Sequence, residues 1–242
     1  MRSLTNEKHI LSGQEKEEVK DAFDKYKSDE QSDEQSDEPR ENIWIECHSH
    51  FCNLKRQDKK LLKQDEFRFS CLLLANYLAV WGMQRNSFLM ENDYHIFENV
   101  VKVILKDDYN LLWNTSYDSL NDKKEDFFKK LIAIRDDINN TFKQYLNRDK
   151  NISQTLITKI LLGTISCCPA YDTNFCKGIP QGKDFYSDNS VRKLIDLVCD
   201  NDIFHKLAEE SHLPIMKVVD MVYFKIGENK KWEGFNFRSL IF

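Results

Sequence analysis

Glycine and proline are scarce in this chain, with seven and four among 242 residues. Antiparallel sandwiches and nucleotide-binding α/β sheets spend glycine on tight turns and phosphate loops, so the scarcity argues for helices. Neither a GxGxxG nor a P-loop pattern occurs, and there is no GxSxG nucleophile elbow. A glycine-rich phosphate cradle and a serine hydrolase are therefore not expected. One Arg lies about one to two helical turns ahead of a His, Arg2 before His9 in the charged N-terminal stretch, and this single pair is not expected to act as HEPN-type ribonucleases do, which present both groups to a phosphate from one helix. The longest apolar runs, such as Cys71 to Ala75, fall far short of the roughly 20 residues of a membrane span, and no membrane partner is expected. The N-terminus carries no secretory leader pattern. The seven cysteines follow no framework spacing, and several, such as Cys71 and Cys199, sit in apolar runs where a reduced thiol packs as a small hydrophobe. Both features point to a reducing cytoplasm.

What is present is charge, unevenly placed. The net charge is −5. Residues 1–41 hold seven Lys/Arg against thirteen Asp/Glu, a balance of −6, so the remainder sums to +1. Between Lys143 and Lys193, eight basic residues face four Asp and no Glu. An acidic chain with such a stretch can still attract a polyanion, because the local field steers phosphate.

Along the chain, residues 4–28 read as a charged N-terminal helix. Ser28 to Pro39 is an acidic, low-complexity SDE/SDEQ repeat without apolar residues, expected to be a flexible linker. Residues 42–242 form the globular part, all-α, either one multi-helix body or two helical lobes. Ile43-Trp44-Ile45 reads as a strand or a docking segment. Helical periodicity is found over Leu61–Met83, Asp93–Leu105, Lys123–Leu146, Ser153–Ile165, Asn189–Cys199, Ile203–Ser211 and Pro214–Ile226. The clearest is Lys123–Leu146, with Phe127, Leu131, Ile134, Ile138 and Phe142 along one face. Gly178–Asp184 is expected to be a loop, and the aromatic tail from Trp232 to Phe242 to pack down.

Three segments carry candidate chemistry. Cys47-His48-Ser49-His50-Phe51-Cys52 gathers four metal-ligating types in six residues, but both His between the two Cys would strain one tetrahedral site, and no C-x₂-C pair completes it. The expectation is a loop with no metal, and no cofactor is implied elsewhere. Trp81-Gly82-Met83-Gln84-Arg85 reads as a helix C-cap and turn, or as a turn offering Arg85 to a phosphate or base. The third is TLITKILLGTISCCPAYDTNF, residues 155–175, in which an apolar helix carrying Lys159 and Gly163 is stopped by Pro169 and followed by Asp172 and Thr173.

This third segment resembles the motif of helix–hairpin–helix DNA glycosylases, where an apolar helix runs into a Pro-x-x-Asp-Thr-x-hydrophobic turn. It is also similar to a group of uncharacterised bacterial proteins. The first resemblance implies a DNA-binding helical protein in which Asp172 is the catalytic carboxylate of base excision. It further implies that Lys159, Lys177, Lys183 and Arg85 contact phosphate, and that Tyr171 or Trp81 stacks on a flipped base. A carboxylate there would stabilise positive charge developing on the sugar, or orient the attacking water. The similarity covers about twenty residues. The Gly-x-Gly that precedes the family's helix is replaced by Asp149-Lys150-Asn151-Ile152-Ser153, and Lys159 stands closer to the aspartate than the lysine of lyase-type members. The implied activity is therefore a monofunctional N-glycosylase on modified or foreign DNA. The reading from a different class is a non-enzymatic helical interaction protein, neutralising a toxin or serving a defence or mobile-element complex, with residues 1–41 docking the partner. On that reading Asp172 caps its own turn through an Asx bond.

Overall fold

Apolar residues repeating at three and four positions set the architecture, a set of eleven α-helices with short 3-10 turns between them and no strand among the described residues. The computed structural model describes residues 9–29, 38–57, 63–85, 87–113, 117–146, 152–180 and 186–230. The helices are α1 (Gly13–Asp29), α2 (Glu38–Arg56), α3 (Gln64–Val80), α4 (Glu98–Ile104), α5 (Tyr117–Asp122), α6 (Lys124–Phe142), α7 (Gln154–Thr164), α8 (Thr173–Gly178), α9 (Asp188–Asp200), α10 (Asp202–Ser211) and α11 (Ile215–Glu228). The fold is all-α. No described helix is long and apolar enough to cross a membrane.

Helix α6 shows how local sequence becomes packing. Phe127, Leu131, Ile134, Ile138 and Phe142 are all buried, one per turn, while Glu125 and Asp126 sit in the first turn where the helix dipole favours acids. Burying each such side chain contributes about 1.5–3 kcal/mol. Helix α9 starts at a capping box: Ser187 Oγ accepts from the Ser190 N–H at 3.1 Å, and Ser190 Oγ accepts from the Ser187 N–H at 2.9 Å.

Helix α11 is the central element, with every residue from Ile215 to Tyr223 buried. Helix α8 lies against it almost backbone to backbone. A Cβ added to Gly178 would stand 1.8 Å from the Tyr223 carbonyl oxygen, and one on Gly227 would stand 1.8 Å from that of Asn174. Only glycine permits this approach. Gly163 on α7 faces the Tyr77 ring of α3 in the same way, at 2.3 Å. Helix α1 packs on α11 through the buried Val19, Ala22 and Phe23. Its Lys16 pairs with Asp202 of α10 at 3.3 Å.

The structure departs from expectation at several elements. Ile43-Trp44-Ile45 is neither strand nor docking segment but the second turn of α2, with Ile43 and Trp44 buried and Ile45 46 % exposed. The N-terminal helix begins at Gly13, and residues 9–12 precede it without helical structure. At both ends of the acidic repeat the chain is already helical, since α1 runs to Asp29 and α2 starts at Glu38. Residues 1–8, 30–37 and the aromatic tail lie outside the described residues. The segment after Pro169 is not only a turn, because Thr173 opens the six-residue α8.

Candidate functional site around Asp172

Helix α7 ends by a left-handed residue. Ser166 has φ +56°, and its N–H reaches back to the Leu161 carbonyl at 2.8 Å while its Oγ donates to that of Leu162 at 2.7 Å. Serine takes a place that glycine usually fills, and its hydroxyl bond helps hold the strained conformation. The chain then runs extended through Pro169 and is pinned at three points. Thr155 Oγ1 donates to the Tyr171 carbonyl (2.9 Å), the Tyr171 N–H donates to Thr158 Oγ1 (3.0 Å), and the Ala170 N–H donates to Asp220 Oδ1 of α11 (2.8 Å).

This delivers Asp172 to the start of α8. Its Oδ1 accepts from the Phe175 N–H at 3.0 Å as the helix N-cap, and its Oδ2 lies 3.2 Å from Lys159 Nζ. The Asp172 side chain is 18 % exposed and that of Lys159 6 %. The Lys159 ammonium also rests over the Trp81 ring, 4.3 Å from its centre, and the Arg40 guanidinium lies 5.6 Å from the same ring. Carboxylate, lysine and tryptophan thus meet at the junction of α3, α7 and α8.

The other residues singled out from sequence are placed as follows. Tyr171 is 3 % exposed, with its ring 5.0 Å from both Phe175 and Tyr186, so neither face is open to a base. Trp81 is half-buried and carries Lys159 and Arg40 on its ring. Arg85 is exposed on the turn after α3, where Gly82 at φ +71° ends the helix and the Met83 N–H donates to the Leu78 carbonyl at 2.9 Å. Lys177 is half-buried in the last turn of α8. Lys183 lies outside the described residues.

Behind this junction is a second set of charges. Lys217 of α11 is fully buried, with Nζ 3.0 Å from Glu41 Oε2 of α2 but not aligned as a hydrogen bond. The ammonium lies 4.6 Å from the centre of the Trp44 ring and 5.5 Å from that of Tyr26. Burial opposes its charge, and Tyr26, Glu41 and Asp220 outweigh that, holding Lys217 above the usual lysine range. Asp220, one turn on, is pushed up to about 6, chiefly by burial. Sequence reasoning passed over Arg40, Glu41, Lys217 and Asp220. The available signal was Lys217 and Asp220 standing three apart inside the apolar run of α11.

The Cys47–Cys52 cluster is helical, not a loop. Helix α2 sends its members in different directions: Cys47 is wholly buried, His50 Nε2 meets Ser70 Oγ at 2.8 Å, and His48 and Cys52 share a third face. No group of three metal-ligating side chains occurs among the described residues. No family model, curated protein or solved structure matches the chain.

Proposed function

We propose that the protein binds DNA and that Asp172, set by Lys159 beside Trp81, is the reactive carboxylate of a monofunctional N-glycosylase acting on modified or foreign DNA. The observation that carries this reading is the part-exposed Asp172, fixed by two bonds, one of them to the Lys159 ammonium. Breaking a glycosidic bond leaves positive charge on the sugar, and a carboxylate held in place stabilises it without reorganising. Lys159 is a positioning residue here: its ammonium is occupied by Asp172 and Trp81 and does not reach a phosphate. Phosphate contact falls to Arg85, Lys177 and Lys183, joined by Arg40. A flipped base would meet Trp81 only by displacing Arg40, and Tyr171 takes no part in stacking.

The test is release of free base from duplexes carrying alkylated, deaminated or mismatched bases, together with DNA binding as a function of salt. Activity abolished by Asp172→Asn, and a binding slope that falls by about one on Arg85→Ala, support the reading. No base released from any duplex and no salt-dependent binding would overturn it.

One observation favours the second reading, a non-enzymatic interaction module. Both Asp172 oxygens already have internal partners, which is all that a structural cap requires. Removing residues 1–41 is no clean test of that module, because α1 covers α11 with buried side chains. Charge reversals on the exposed Lys20 and Asp24 probe α1 without uncovering the core.

A further inference from the structure

A cleft of about 820 Å³ opens between α2 and the α10–α11 turn, and Asp172, Lys159 and Trp81 are not among its lining residues. Its volume falls within the range of small-molecule sites, roughly 300–1,000 Å³. At the inner end His48 stacks on Trp44, ring centres 5.2 Å apart and planes 10° from parallel. The Thr164 carbonyl, 2.9 Å from His48 Nδ1, can only accept, so Nδ1 carries the proton and Nε2 is left as an acceptor beside Cys52 Sγ at 3.5 Å. Burial holds His48 below the usual histidine range and Cys52 above the usual thiol range, so this end is uncharged near neutral pH. Ile165 and Ile215 complete an apolar floor.

The lining also holds one arginine. Arg56 is exposed at the end of α2 and forms no ion pair among the described residues. The one acid in the lining is Glu209, which lies 3.4 Å from His205 Nε2. The guanidinium of Arg56 thus shares the cleft with a single carboxylate, which lies beside the imidazole of His205 in the same lining. The walls also contain both of the described non-glycine residues with left-handed backbone, Ser166 at φ +56° and His212 at φ +58°. Such conformations cost about 1–3 kcal/mol each and gather at ligand sites.

From this geometry we infer that the α2–α10 cleft is a binding site for a small amphiphilic anion, its phosphate or carboxylate held by Arg56 and its apolar body lying on Trp44, Ile165 and Ile215. The ligand is a free small molecule, because the cleft is walled on both sides by helices and closed by a floor.

Titration calorimetry on the full chain, with hexyl phosphate, hexanoate, hexanol and inorganic phosphate as probes, tests this. One of the two amphiphilic anions is expected to bind at least about tenfold more tightly than hexanol or inorganic phosphate, and the tighter of the pair identifies the headgroup. Arg56→Gln should weaken that anion by about tenfold or more and leave hexanol unchanged. Ala208→Trp, at a half-buried position in the wall, should block every probe while circular dichroism shows the helices intact. Binding by none of the probes, binding unchanged by Arg56→Gln, or binding unchanged by Ala208→Trp each overturns the site. None of these outcomes bears on base release at Asp172, so the two assignments stand or fall separately.

Discussion

Around Asp172 the helices meet backbone to backbone, whereas along the α2–α10 cleft they stand apart, and polar residues behave differently in the two places. At the α8–α11 contact Gly178 and Gly227 remove the side-chain spacing, and Gly163 lets α7 close on the Tyr77 ring of α3. Little of these side chains is left to water, so Lys159 pairs with Asp172, and Lys217 with Glu41 near Asp220. Along the cleft the residues are of similar types, yet Arg56 stays exposed and His48 keeps an acceptor nitrogen facing inward. Close packing turns polar residues into internal fasteners, and looser packing leaves them able to meet a ligand. On this comparison the Asp172 reading depends on how much reach a carboxylate keeps when it is 18 % exposed.

The largest effect is expected at the buried lysine. Lys217→Met leaves Glu41 and Asp220 without their cation and should cost about 3–5 kcal/mol in urea unfolding. If the loss is under about 1 kcal/mol, the junction is wetter than its packing implies. Next come the contact glycines, since Gly178→Ala and Gly227→Ala each force a Cβ into a carbonyl 1.8 Å away. Each should cost about 3 kcal/mol, whereas Ala208→Trp in the cleft wall should cost far less. Equal costs in the same denaturation series would erase the distinction between the two regions.

Asp172 gives a smaller and more discriminating pair. Asp172→Asn keeps an oxygen for the Phe175 N–H and loses the charge opposite Lys159, while Asp172→Ala loses the cap as well and should be about 1 kcal/mol less stable than Asp172→Asn. On the glycosylase reading both abolish base release despite this difference. His212→Gly should stabilise by about 0.5–1 kcal/mol, read as a rise in Tm, by relieving a left-handed backbone at the cleft mouth.

Asp220 supplies the pH test. Its folded value, about 6, lies above the ordinary 3.8, so the folded state binds the proton more tightly. Stability from this group is then greatest below about 4 and declines as pH rises through about 6. Asp220→Asn keeps an acceptor for the Ala170 N–H and should flatten the stability profile across that window, as measured by urea midpoints at stepped pH.

Much of this was legible in the residues. Stripes such as Phe127 to Phe142 place α6 correctly, and α7, α9, α10 and α11 match their periodic segments within a few residues, because side-chain spacing along a helix is a local property. The failures are also local in origin. Ile43-Trp44-Ile45 is three apolar residues in a row, which carries no period, and its helical membership shows only when Ile43 and Trp44 turn inward and Ile45 outward. Helix α8 has six residues and begins inside the Asx-type cap of Asp172, so it reads as a turn.

The sequence by itself determined the helical class, most helix positions, and the stop of the apolar helix α7 ahead of Pro169 and Asp172. Tertiary structure alone decided what each polar group touches. It placed Lys159 on Asp172 and Trp81, closed both faces of Tyr171, buried Lys217 against Glu41, and left a cleft beside His48. The physical reason is distance along the chain. Helix periodicity is set within a few residues, whereas Trp44 and Leu162, or Ala170 and Asp220, meet only because the whole set of helix faces closes together.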